Sequence, residues 1–140
     1  MIVAALALAG IFLALYLLLY KLGMIGALTC SVGSCETVNT SMWATLLGIP
    51  VAGWGVAWYL ATFALALVSI QARFADSSAI SLVMVLMTAS GLIFSAYLTY
   101  LELFVIYAIC QWCVVSAILV LVMFVLAVLD YRDTRSLEPA

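Results

Sequence analysis

Residues 110–129 read CQWCVVSAILVLVMFVLAVL, with Cys110 and Cys113 at the head of a long apolar run. A run of this length spans a bilayer as a helix. Helix positions three apart share a face one turn apart, which brings two thiols near the separation that a disulfide needs. The first cysteine also meets unpaired backbone N–H groups and the positive end of the helix dipole, which favour a thiolate. A C-x-x-C pair at a helix start is therefore typical of redox chemistry.

The composition indicates that the bilayer is the solvent of this chain. Of 140 residues, 70% are hydrophobic and 7% are charged, which is more apolar side chain than a soluble domain of this size can cover. The net charge of −2 excludes a polybasic nucleic-acid binder. The sequence contains no histidine, so it lacks the commonest general base and metal ligand. Its six acidic residues are scattered, which disfavours a paired-carboxylate mechanism. Cysteine therefore remains as the reactive side chain.

Four apolar runs predict an all-α fold, an integral membrane four-helix bundle. Each is long enough to cross the hydrocarbon, and they cover about 2–22, 51–70, 79–106 and 110–129. The connection at 23–50 is long for a small bundle, and such connections are usually functional. It contains the two other cysteines, Cys30 and Cys35. We expect one transmembrane domain over 1–140, with a charged tail at 130–140.

The second half of this loop has a helical pattern. Apolar residues recur at every fourth position within 36–47, which predicts a short amphipathic helix. Gly48 and Pro50 are expected to end it. We expect this helix to lie over the extracytoplasmic mouth of the bundle.

The basic residues predict the orientation in the membrane. The turn at 71–78 carries Arg73 and the tail carries Arg132 and Arg135, whereas the opposite side carries Lys21. Under the positive-inside rule, both termini are cytoplasmic in a multi-pass protein of the cell inner (plasma) membrane. Both cysteine pairs then lie on the extracytoplasmic side, where disulfides form.

Three roles compete for four such cysteines. Structural staples are disfavoured because each pair closes a short loop, and the stabilisation scales with loop length. A four-thiolate metal site is disfavoured by the spacing and by oxidising surroundings. Thiol-disulfide exchange needs an accessible pair and a helix-start thiolate, and the sequence offers both. The alternative from another class is a non-enzymatic membrane scaffold with structural disulfides in its outer loop.

The ordered motifs resemble the vitamin K epoxide reductase (VKOR) family, and its bacterial quinone-coupled, disulfide-forming branch in particular, over roughly residues 24–120. The matching residues are Cys30-x4-Cys35, Val38, Ser41, Trp43, Leu47-Gly-Ile-Pro50 and Cys110-Gln-Trp-Cys113-Val-Val-Ser116. The resemblance implies a helix bundle around a quinone, with the loop pair as a shuttle.

The resemblance also implies a role for each cysteine. Cys30 would meet the dithiol of a thioredoxin-fold partner, Cys35 would exchange with Cys110, and Cys113 would reduce the quinone. The chain would then be a quinone-dependent membrane thiol-disulfide oxidoreductase that supports disulfide bond formation. Many bacterial relatives carry a fused thioredoxin-like domain that these residues lack, so we expect a separate periplasmic or extracytoplasmic partner.

Two departures from the family pattern bear on the acceptor. Animal members have a tyrosine one turn beyond the C-x-x-C pair, where this sequence has Ala117, and an asparagine near the top of the second span, where 49–53 contains none. The hydrogen bonds that would hold an epoxide are therefore missing. We expect a respiratory quinone, ubiquinone or menaquinone, as the cofactor.

The expected quinone pocket lies beside Cys113. Val114 and Ala117 would supply one wall, and Ser41 and Val51 the other. No metal is expected. Glu102 is an acidic residue at the outer membrane edge near the C-x-x-C pair. It either assists proton uptake by the reduced quinone or caps a helix end, and the sequence leaves both open.

Overall fold

The computed structural model describes residues 1–26, 30 and 33–137. Loop residues 27–29, 31 and 32 and tail residues 138–140, which belong to the predicted loop and tail, lie outside the described residues. The helices are α1 (Ile2–Lys21), α2 (Cys35–Thr40), α3 (Val51–Ile70), α4 (Ser78–Tyr100) and α5 (Gln111–Leu137). All but α2 are long and apolar enough to cross a membrane. The predicted all-α, four-helix membrane architecture is confirmed.

Small residues allow the helices to approach closely. The buried face of α1 is mostly alanine and glycine, and Gly10 lies so close to the ring of Tyr59 on α3 that a side chain there would overlap it. Gly91 on α4 has the same relation to Trp58. Large apolar side chains such as Ile93 face outward. This is the arrangement of a bundle solvated by lipid, in which small residues mediate helix contact.

The core has three layers along the bundle. The middle layer packs Tyr59, Val120 and Met123 with alanines of α1, and one end layer contains Ala66 and Met84. The layer at the other end contains Leu17, Val38, Cys35 and Cys110. The bundle therefore buries one cysteine of each pair in the same place.

The loop helix is shorter than the sequence predicts, so the expected helix over 36–47 is wrong in its second half. Helix α2 ends at Thr40, and Ser41 is extended. The Ser41 hydroxyl donates to the Val38 carbonyl at 2.7 Å, and such local bonds from serine compete with helical ones. A 3₁₀ turn follows at Met42–Ala44.

A small hairpin follows this turn, with β1 (Thr45–Leu46) antiparallel to β2 (Ile49–Pro50). Its turn residues Leu47 and Gly48 both have positive φ, 55° and 81°, as tight hairpin turns require. Gly48 therefore forms a hairpin turn instead of ending a helix. The Trp54 indole donates to the Leu46 carbonyl at 3.1 Å and ties the hairpin to α3.

The chain between α4 and α5 is also irregular. A π-helical segment, Leu101–Ile106, follows α4 directly, and Tyr107 has φ of +55°. Helix α5 then continues to Leu137, so the expected tail at 130–140 is helical where it is described. This polar end of α5 is tied to α4, because the Ser81 hydroxyl of α4 donates a hydrogen bond to the Asp130 carboxylate at 2.7 Å.

Candidate active site

Backbone pairing fastens the cysteine loop to the C-x-x-C pair. Gly33 forms an isolated antiparallel bridge with Cys110, and the Ser34 N–H donates to the Ile109 carbonyl at 2.7 Å. Gly33 has φ of +86°, and a Cβ atom there would overlap the Ile109 carbonyl oxygen. Glycine is thus required by the close approach as well as by its conformation.

The structure has one cysteine pair oxidised and the other reduced. Cys30 and Cys35 form a disulfide, and Cys35 is buried with an exposed fraction of 1%. Cys110 and Cys113 are free thiols. Cys110 is fully buried and shares its layer with Cys35, so the chain brings the two pairs together.

The start of α5 favours a thiolate at Cys110. The residue lies directly before the helix, because its carbonyl accepts the bond from the Val114 N–H at 3.1 Å. The hydrogen bond from the Cys113 thiol, with help from the backbone N–H groups of Cys113 and Trp112, lowers the pKa of Cys110 to about 7. Burial and the charge of Glu102 act in the opposite direction. The net effect is a lowered pKa, which supports the reactive thiolate that the C-x-x-C pattern predicts at Cys110.

Asn39 is a polar contact of Cys110 that sequence reasoning missed. It is buried, and its amide nitrogen lies 2.9 Å from the Cys35 carbonyl and 3.8 Å from the Cys110 sulfur. The Lys21 ammonium donates to the Asn39 carbonyl at 2.9 Å, which ties α2 to the end of α1. Asn39 lies one helical turn after Cys35, and this spacing is the signal that would have identified it.

Glu102 projects from the π-helical segment to the start of α5. Its carboxylate accepts a hydrogen bond from the Cys110 N–H at 3.2 Å, and its side chain lines the same cavity as Cys113. Single π-helical turns are often found at functional sites. The helix cap, one of the two roles that the sequence left open for Glu102, is present. The same side chain shares a cavity wall with the Cys113 thiol.

A cavity of about 380 Å³ opens beside Cys113. Its wall is mostly apolar, and Glu102, the hydroxyl-bearing side chains Tyr59 and Ser41, and Val51 contribute to it. Cavities of this size and character bind small organic ligands. Cys110 is outside this lining and faces the loop layer instead.

The expected pocket residues divide into two groups. Cys113, Ser41 and Val51 line the cavity. Val114 and Ala117 are outside its lining among the described residues, and the Val114 side chain is exposed. The residue of α5 that lines the cavity one turn beyond the C-x-x-C pair is Ser116, whose hydroxyl lies 2.8 Å from that of Tyr59.

The described part of the chain contains no group of three or more histidine, cysteine or acidic side chains that could hold a metal ion. The site therefore consists of a disulfide, a dithiol, a carboxyl group and an apolar cavity. This set can pass electrons between thiols and a small organic molecule.

Comparison with known families agrees with this chemistry. The model of the vitamin K epoxide reductase family matches residues 1–128, which include the first three long helices, the larger part of α5 and both cysteine pairs. The chain belongs to the vitamin K epoxide reductase family, and is accordingly a multi-pass membrane thiol-disulfide oxidoreductase.

Proposed function

We propose that this protein oxidises the dithiol of an extracytoplasmic thioredoxin-fold protein and passes the electrons to a quinone, as the bacterial disulfide-forming branch of the family does. One observation carries the proposal. The C-x-x-C pair lies between the cysteine loop and the cavity, since Cys110 shares a buried layer with Cys35 while Cys113 lines the cavity. Electrons that enter at the loop would leave at the cavity.

The first half of the path is an exchange of disulfides. A partner thiolate attacks Cys30, and the bond between Cys30 and Cys35 breaks. The second partner thiol resolves the mixed disulfide, so that the partner leaves oxidised and the loop pair is reduced. Cys30 suits this role because it is less buried than Cys35.

The second half of the path crosses to the helix pair. The Cys35 thiolate attacks Cys110 in the Cys110–Cys113 disulfide, and Cys113 leaves as a thiolate. Cys30 then attacks Cys35, which re-forms the loop disulfide and returns Cys110 as a thiol. The product state has an oxidised loop pair and a reduced helix pair, as in the structure.

The cavity fits a quinone. Its apolar wall suits the ring and the isoprenoid tail. The hydroxyl groups of Tyr59 and Ser41 would bind ring carbonyls by exchanging their present partners, Ser116 and Val38. A bound quinone would supply a two-electron oxidant for the Cys110/Cys113 dithiol. Ala117 lacks a hydroxyl group and lies outside the lining, which agrees with ubiquinone or menaquinone in place of a vitamin K epoxide.

Quinone reduction by the purified protein tests this proposal. Protein in detergent is mixed with a reduced thioredoxin-fold dithiol and ubiquinone or menaquinone, and quinone absorbance is followed. We expect turnover that Cys113→Ala abolishes. Turnover that survives this substitution would dismiss the electron path, and absence of any turnover with either quinone would favour a scaffold with structural disulfides.

We also propose that the cysteine end faces the outside of the plasma membrane, with both termini in the cytoplasm. The basic residues support this orientation, because Arg73, Arg132 and Arg135 lie at the end opposite to the cysteines. A thiol reagent that cannot cross membranes should label Cys30 in reduced intact cells. Labelling only after lysis would reverse the orientation.

A further inference from the structure

Glu102 is a buried carboxyl group within the bundle. It retains an exposed fraction of only 5%, and its chain neighbours on both sides are leucines. An acidic side chain within a membrane segment is costly and is most often functional. Acceptance of the hydrogen bond from the Cys110 N–H does not by itself require an acid at this position.

The contacts of Glu102 join the reacting sulfur to the cavity. One carboxylate oxygen accepts a hydrogen bond from the Cys110 N–H, and the Glu102 side chain lines the same cavity as Cys113. A proton that leaves Cys113 therefore meets Glu102 before it meets any other carboxyl group of the described chain.

The proton balance of the proposed reaction requires such a group. When the dithiol becomes a disulfide, two S–H bonds break, one S–S bond forms, and two electrons and two protons are released. A quinone that takes them becomes a quinol. The chain has no histidine to carry a proton, and an apolar cavity excludes most of the water that would otherwise do so.

The other titratable side chains that line the cavity are already engaged. Lys21 donates its ammonium group to the Asn39 carbonyl, and the Tyr59 hydroxyl is paired with that of Ser116. Cys113 is itself a reactant. Among the described lining residues, Glu102 is the remaining acid or base.

We propose that Glu102 is a catalytic proton carrier, which takes the proton of the Cys113 thiol and delivers it to the cavity as the dithiol is oxidised. This role rests on the proposed quinone-coupled function. Glu102 carries one of the two protons that the quinol takes up. Cys110 loses the other thiol proton to water, and water supplies the second proton of the quinol. The carboxyl group is regenerated in each cycle, so the step needs no further reactant.

Two substitutions separate this role from that of a helix cap. Glu102→Gln retains an oxygen that accepts from the Cys110 N–H but cannot carry a proton. Glu102→Asp retains the acid on a shorter side chain. Glu36→Gln is the matched control, since Glu36 is an exposed acid on α2.

The first measurement needs no quinone. Infrared difference spectra are recorded between the oxidised and reduced Cys110/Cys113 pair, in protein with Cys30→Ser and Cys35→Ser. We expect a carboxyl band that changes with the redox state, that is lost in Glu102→Gln, and that persists in Glu36→Gln. A spectrum without a redox-linked carboxyl band, or one unchanged in Glu102→Gln, would overturn the proposal.

The second measurement is the rate of a single turnover, the oxidation of the Cys110/Cys113 dithiol by a quinone. Prereduced Cys110/Cys113 is mixed with a short-chain ubiquinone, and reoxidation is followed against pH. General acid–base catalysis contributes roughly 10²–10⁴-fold, so we expect Glu102→Gln to slow reoxidation about a hundredfold and to lose the pH dependence, with partial recovery in Glu102→Asp.

Reduction of the loop disulfide by the partner serves as the internal reference and should keep its rate in every variant. Reoxidation of Glu102→Gln at the wild-type rate would overturn the proton role while leaving the quinone function intact. Wild-type protein that never reduces quinone would refute the function itself, and the infrared band would still decide whether Glu102 exchanges a proton with the dithiol.

Discussion

Gly33 pairs with Cys110 through the backbone, although 77 residues separate them along the chain (110 − 33). The bridge brings the loop disulfide onto the start of α5, so that Cys35 and Cys110 enter one buried layer. Proximity of this kind converts a meeting of two distant segments into a local reaction, and positioning of reactants contributes strongly to rate.

Substitution of Gly33 tests the bridge. Gly33→Ala introduces a Cβ atom that would overlap the Ile109 carbonyl oxygen, so we expect electron transfer between the loop pair and the helix pair to slow roughly tenfold or more. Rapid mixing, followed by tryptophan fluorescence, measures this step. Gly23→Ala is the matched control, because Gly23 also has positive φ, +79°, but has open space around it. Equal slowing in both variants would contradict a specific role for the bridge.

Removal of Cys113 should change the acidity of Cys110. The Cys113 thiol is the largest cause that lowers the pKa of Cys110 to about 7, so below that pH Cys110 is a thiol and above it a thiolate. In a Cys30→Ser, Cys35→Ser background, thiolate absorbance should give a first midpoint near 7. Adding Cys113→Ala should raise it toward the ordinary value of about 8.5. A midpoint that stays unchanged would refute the coupling.

Loss of Asn39 should also raise the pKa of Cys110, but by less than loss of Cys113 does. Its amide lies 3.8 Å from the Cys110 sulfur, and loss of a donor near a thiolate favours the protonated form. We expect Asn39→Ala to raise the pKa of Cys110 by about half a unit, in line with a weak hydrogen bond. Thr40→Ala, at the next and exposed position of α2, should leave the titration unchanged. A fall in the pKa in Asn39→Ala would contradict this interpretation.

A pair of tryptophan substitutions locates the quinone pocket. Val51 lines the cavity and Val114 does not. Overpacking costs about 1–3 kcal/mol, so Val51→Trp should raise the KM for quinone roughly tenfold or more, while Val114→Trp should leave it unchanged. Steady-state kinetics with a water-soluble quinone measures both. A raised KM in Val114→Trp with an unchanged KM in Val51→Trp would instead place the quinone beside Val114 and Ala117, as the sequence predicts.

The sequence predicts the spans well because the hydrocarbon imposes their length. The range 51–70 and the observed α3, Val51–Ile70, coincide. The loop is harder to predict because short-range bonds determine it. Apolar spacing over 36–47 predicts one helix, yet the Ser41 hydroxyl and the turn at Leu47 and Gly48 break it into a helix and a hairpin.

The cysteines of the candidate site can be identified by residue type, but their neighbours depend on packing. Asn39 reaches the C-x-x-C pair through the Gly33 bridge, which leaves little trace in the sequence. Glu102 is predicted near the pair, but the π-helical segment that positions it is not. Val114 and Ala117 were expected beside the quinone because they follow Cys113 closely. The rotation of α5 places Ser116 on the cavity instead.

The most direct test of the account is to trap the bond between Cys35 and Cys110. In a protein with Cys30→Ser and Cys113→Ala, the only remaining partner for Cys35 is Cys110, and mild oxidation followed by peptide mass spectrometry identifies the link. We expect nearly complete conversion to the Cys35–Cys110 disulfide within one molecule. Both thiols left unlinked, or linked only between two molecules, would contradict the transfer of electrons from the loop to the helix pair.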